Sequence, residues 1–346
     1  PGNPNSLPVN YITALHESPD GNIWIGTSEG GLSYYDRQKD AIFLYKAEGQ
    51  QLEGAAISNL KADQNGNIWV TGFGSLQIID PKTKLLVTQE KFAPIGKDLS
   101  NKVTIDFLQD RNKNYWISTD QGLYLYNSRL KLLNIYKHNE SDPSSFPAIR
   151  AGEIKEDKNG TIWIATYKGL VAISPDRTGF QIINTTSKPA KINSNIVFAL
   201  EVDQNNRLWI GTEEGLNVLD IGTKSVLSLT PDQRNPASIS GRSIRSIYIS
   251  NQGSYWIGTF RNGVNLYNEN LSNFNRIGFN AFDPFGLRSP VVTSLAAKNN
   301  NEIFVGTDDG GLHIFNRLTG LINHLPIAFN TKSSSHPPGI LSLEIG

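Results

Sequence analysis

Few of the 346 residues supply the group pairs that catalysis needs. The chain has no cysteine, which removes thiolate nucleophiles, disulfides and thiolate metal sites together. Its five histidines stand at 16, 138, 313, 324 and 336, with no His-Glu-x-x-His or similar ligand spacing. The acidic pairs Glu213-Glu214 and Asp308-Asp309 are neighbours in the chain, and that adjacency does not make the spaced pair a glycosidase uses. No Gly-x-Ser-x-Gly elbow or phosphate-binding loop is present. The sequence therefore calls for no catalytic group, no metal and no cofactor. Recognition chemistry remains. Short glycine-bounded loops carry Phe73, Tyr167, Lys168, Glu213, Phe260, Arg261 and Asp308, and other connecting segments carry His138, Arg150, Arg242, Arg245 and Arg288. Aromatic rings can stack on sugar rings, and the cations can pair with a sulfate or carboxylate. Each residue also has the plainer reading of a solvated loop charge or a packing ring.

These loops recur because the whole sequence recurs. All six tryptophans take part, at Trp24, Trp69, Trp116, Trp163, Trp209 and Trp256, with Phe304 as a seventh member, spaced by 45, 47, 47, 46, 47 and 48 residues. The wording repeats around them: DGNIWIGT at 20–27, NGTIWIAT at 159–166, NNRLWIGT at 205–212 and EIFVGT at 302–307. An apolar residue stands nine before each anchor: Leu15, Leu60, Phe107, Ile154, Leu200, Ile247 and Leu295. Each unit reads as a strand, an Asn/Gly hairpin turn, the tryptophan strand, a glycine loop, and two further strands such as 31–35 and 42–45. Four-stranded units of about 40–50 residues predict an all-β fold, a seven-bladed β-propeller of four-stranded antiparallel blades. Six rings at one repeat position are blade markers in the core rather than sugar platforms. The Asp-x-Asn-Gly turns at 63–66 and 157–160 lack the further ligands of a calcium loop and read as hairpin turns.

Two residues after each anchor the side chain is small (Gly26, Thr71, Ser118, Ala165, Gly211, Gly258, Gly306), which suits the place where blades converge. The second copy departs, with Thr71 and Gly72 in reversed order before an irregular loop, and an altered connection is expected there. The ring is expected to occupy 1–327. Residues 3–7 resemble an inter-unit linker, so the chain is expected to start mid-rhythm. Residues 328–346 are expected to be a linker plus the first strand of a following unit, or an extra ring strand. The missing initiator methionine fits an excised piece of a longer array.

Lys and Arg total 32 against 32 Asp and Glu, so the chain lacks the basic excess of a nucleic-acid surface. The longest apolar runs, at 169–173 and 196–200, are far shorter than the ~20 residues a spanning helix needs.

The sequence Asp-x-x-Gly-Asn-Ile-Trp-Ile-Gly-Thr followed by Gly-Gly-Leu and a tyrosine-rich strand resembles the two-component-regulator propeller repeat. The resemblance covers essentially the whole chain. It implies the periplasmic sensor region of a hybrid two-component system, a kind most abundant in gut Bacteroidetes, that senses glycan oligosaccharides and induces polysaccharide utilisation. It further implies a second propeller and an immunoglobulin-like domain in the same parent chain, then a membrane span and a histidine kinase, with the full sensor a homodimer. Two other readings stay open: a propeller enzyme of lyase type, and an interaction or dimerisation scaffold without its own ligand.

Overall fold

Seven hairpin-and-anchor units become seven antiparallel sheets in the computed structural model of the chain, which describes residues 6–46, 52, 55–72, 76–87, 89–232, 238–268, 275–277, 279 and 286–325. Each sheet holds four strands in chain order, inner to outer. Blade 1 is Ile12–Glu17, Ile23–Thr27, Leu32–Asp36 and Ala41–Leu44; blade 7 is Val292–Asn299, Glu302–Thr307, Gly311–Asn316 and Ile322–His324. Innermost strands touch in chain order, and the first also touches the last, so the ring is closed. Among the described residues no strand is shared between the two terminal blades. Their closure is side-chain packing: Ile12, Leu15, Ile25 and Tyr35 share one apolar cluster with Val292, Leu295 and Phe304.

Burial lies between blades, as a flat sheet with two apolar faces requires. Trp24 packs with Ile57, Leu60 and Val70 of blade 2. Gly26 shows why the position two residues after the anchor is small. A Cβ there would lie 2.6 Å from Ile57 Cγ2 of the next blade.

The buried indoles also need a partner for their N–H. Asp157 supplies one: its Oδ2 accepts from Trp163 Nε1 at 2.9 Å, while its Oδ1 accepts the backbone N–H groups of Asn159 and Thr161 at 2.8 and 3.0 Å. Asp63, Asp110 and Asp203 serve Trp69, Trp116 and Trp209 in the same way, and Ser18 serves Trp24. The carboxylate six residues before the anchor thus holds the turn and the core ring together, which accounts for the calcium-like wording.

The recurrence of a threonine three residues after six of the seven anchors has a similar cause. The Thr27, Thr119, Thr166, Thr212, Thr259 and Thr307 hydroxyls donate to the carbonyl of the glycine just before or at the start of the third strand, at 2.6–3.0 Å. Blade 2 breaks this pattern. Its Thr71 hydroxyl donates inward to Asn59 O, and Gly72 exchanges hydrogen bonds with the Thr104 hydroxyl of blade 3 instead. Its fourth strand is only Leu85–Leu86, and a helix, Gln89–Leu99, follows. Phe92, Ile95 and Leu99 of the helix pack in one cluster with Trp69, and Asp98 accepts a hydrogen bond from Tyr126. An irregular second copy is expected from the sequence; the helix is not. Residues 328–346 and Phe73 lie outside the described residues.

Candidate functional site

Six of the seven inner strands carry the same defect near their start. In blade 1, Ala14 pairs with Gly26 and Ile12 with Thr27, so Thr13 is left out of the ladder. Equivalent register shifts leave out Ser58, Ile105, Phe198, Arg245 and Thr293. A bulge frees one residue from pairing and re-aims its side chain. Here it re-aims them to the axis: Thr13, Ser58, Ile105, Phe198 and Arg245, with Gly152 at the matching place in blade 4, line a cavity of about 400 Å³ at the mouth of the central channel. The connecting segments add Tyr11, Arg150 and Tyr167 to its wall.

One side of this mouth is aromatic and cationic. The Arg245 guanidinium lies 3.8 Å from the Phe198 ring centroid and 5.0 Å from that of Phe260. Phe198 meets Tyr167 edge to face at 6.1 Å, and Arg150 stands 5.9 Å over Tyr167. Burial holds the Arg245 guanidinium below its ordinary value, with the Tyr167 and Glu213 charges working the other way. Its Nε is buried without a hydrogen-bond partner. The deeper wall is polar and internally paired. Asp106 accepts from Asn59 Nδ2 at 2.7 Å and Lys61 Nζ at 2.8 Å, and from the Ile154 N–H at 2.7 Å. Glu153 accepts from the Leu200 N–H at 2.8 Å and lies 3.7 Å from Lys155.

Three segments, 6–29, 191–214 and 238–261, match the family described as two component regulator propeller, each covering the same stretch from linker through tryptophan strand. Three of the seven blades thus match that repeat. Over 99% of its length it is 28% identical to a protein of Formosa agariphila described as Histidine kinase P4, of which it spans 24%. Its fold is also that of a B. thetaiotaomicron extracellular domain assigned to the hybrid two-component system BT3049, at TM-score 0.56 and 18% identity, over 93% of this chain and 48% of that one. A virginiamycin B lyase from Staphylococcus aureus has a TM-score of 0.58 at 11% identity, over 86% of this chain and 91% of that one. The two structural likenesses concern fold alone.

The ends of these propeller repeats differ. On the hairpin end, polar side chains bridge one blade to the next: Gln64 Nε2 to Asp110 O, Arg111 Nε to Glu156, and Lys158 N–H to Asn206 Oδ1. Arg150, Arg245 and the exposed Tyr167 at the mouth make ring contacts instead.

Of the residues singled out by sequence, Arg150, Tyr167 and Arg245 line the cavity, Arg245 from the inner strand Ile244–Ile249 rather than the connecting segment expected, and Phe260 backs it. Arg261 and Asp308 form a second group on the rim, where burial and Asp309 raise the Asp308 carboxyl above its usual range and Arg261 opposes them. Lys168 and Glu213 are exposed at the loop tips. Arg242, 74% exposed, makes a 3.5 Å surface pair with Glu214. His138 Nδ1 lies 2.8 Å from Phe146 O within its own linker. Phe198 was missed. A signal existed: the position eleven before the anchor varies as Thr, Ser, Ile, Gly, Phe, Arg and Thr while the apolar residue two later does not.

Proposed function

We propose that this ring is the non-enzymatic, extracytoplasmic ligand-binding part of a sensor histidine kinase of hybrid two-component type. Its axial mouth takes an oligosaccharide, and occupancy is relayed to induce polysaccharide utilisation. The observation that carries the reading is the mouth itself: a pre-formed concavity lined by bulge residues of five blades, whose wall combines aromatic rings with cations. The repeats and the histidine-kinase relative support the sensor context. In the parent protein, a second propeller, an immunoglobulin-like domain and a second copy of the sensor are the partners to which the ring transmits. A closed ring with buried blade interfaces acts as a lever rather than deforming, so the differential contacts a ligand makes with ring and neighbour set the signal.

The test is calorimetric titration of the chain with a panel of oligosaccharides, followed by chromatography of the recovered sugar. Saturable binding with the sugar intact, lost in Tyr167→Ala, is expected. Conversion of the sugar to product would put a lyase-type enzyme in its place.

A further inference from the structure

Resting on the reading of the mouth as a saccharide site, the geometry points to an acidic saccharide, with a carboxylate or sulfate group held by Arg245 and Arg150 and a sugar ring laid on Tyr167. The acids of the deeper wall have cations of their own: Asp106 is bridged to Lys61 at 2.8 Å, and Glu153 faces Lys155, which also holds Glu201 at 2.8 Å. Neither Arg150 nor Arg245 has a carboxylate within ion-pair reach among the described residues; their contacts are with Tyr167, Phe198 and Phe260. Glu213 acts on Arg245 from an exposed loop tip, and the Asp308–Asp309 pair faces Arg261.

Ring contacts use the flat faces of a guanidinium. Its N–H donors lie in the plane, and they match the fork of an oxyanion. The Arg245 guanidinium is held against the Phe198 and Phe260 rings, its Nε is buried without an acceptor, and the side chain lines the cavity. A half-buried cation held by ring contacts and lining the cavity without a carboxylate of its own is pre-organised for an anion arriving there. Tyr167 is 51% exposed, so its ring retains surface for stacking.

The experiment titrates the chain with tetrasaccharides of three kinds: an oligogalacturonate, a sulfated galactan fragment and a neutral galactan fragment. At least one acidic probe is expected to bind, with the neutral one at least tenfold weaker; which acid binds distinguishes carboxylate from sulfate. Arg245→Gln should weaken the acidic probe about tenfold or more, as expected for a lost charge-assisted hydrogen bond, with the melting temperature unchanged, and Arg245→Lys should retain part of the affinity. Equal binding of neutral and acidic probes, or acidic binding indifferent to Arg245→Gln yet abolished by Tyr167→Ala, would overturn the acidic ligand and leave the mouth as the site. Failure of all three probes to bind, or binding indifferent to both variants, would overturn the mouth reading as well.

Discussion

Trp256 shows what the aspartate six residues before an anchor contributes, because it lacks one. Ser250 occupies that place, its hydroxyl accepts from the Ser254 N–H, and the buried indole Nε1 has no partner. Ser250→Asp should let one oxygen accept from the turn and the other from Trp256, raising stability by about 1 kcal/mol; Asp157→Ala should do the reverse at Trp163, by about 2 kcal/mol or more, because it orphans a buried donor. Urea denaturation of the two variants checks both, and a neutral or destabilising Ser250→Asp would refute this account of the repeat. His313 sets a pH dependence. Fully buried against Thr307 and His324, it is pushed down to about 3 by burial first, then by the His324 and Arg288 charges. The unfolded imidazole binds its proton near 6.5, so between those values the unfolded state holds more protons. Stability should therefore fall as pH drops from about 6.5 towards 3, by up to about 1.4 kcal/mol per pH unit from this group. His313→Gln should flatten that fall in denaturation midpoints measured from pH 7 to 5; an unchanged slope would assign it elsewhere.

At the scale of the element, the repeat was legible because blade-building residues must be the same in each copy: an anchor ring, an apolar residue nine before it, a small residue two after. The small residue is tested directly at Gly26. Gly26→Ala puts a Cβ against Ile57 Cγ2 and should cost roughly 1–3 kcal/mol. Ile57→Ala removes the clashing methyl, so the double variant should lose less than the sum of the two singles; strict additivity in thermal melts would mean the glycine serves something other than blade approach. The bulges were not legible, since a register slip is a property of backbone pairing and any residue type can occupy it. That is why Arg150 and Tyr167, on loops, were found in the sequence and Arg245 was expected on a connecting segment rather than an inner strand, whereas Phe198, within an apolar strand, was not found. The helix Gln89–Leu99 escaped for a related reason: Pro94 lies within it, a signal that ordinarily argues against a helix. The slipped Thr71 that precedes it was visible only as an irregular copy.

For the whole molecule, ring closure decides whether seven blades unfold as one. An open array of repeats frays from its ends, because a terminal unit has one neighbour; in a closed ring every blade has two. Blade 1 here meets blade 7 through the cluster containing Leu15 and Leu295, and the Tyr35 ring stands edge-on to Phe304 at 5.8 Å. Leu15 and Leu200 hold the same repeat position, both fully buried, one at the closure and one inside the array. If closure couples the terminal blades as tightly as the internal ones are coupled, Leu15→Ala and Leu200→Ala should each cost about 2–5 kcal/mol. Both should keep a single calorimetric transition, with tryptophan fluorescence melting at the same temperature. An earlier transition confined to Leu15→Ala would show instead that the closure is the weak interface and that blade 1 can detach. The outcome bears on signalling too. A mouth assembled from blades 1 to 6 keeps its shape only while the ring is shut, so a ligand bridging those blades should raise the melting temperature of Leu15→Ala more than that of the unaltered chain.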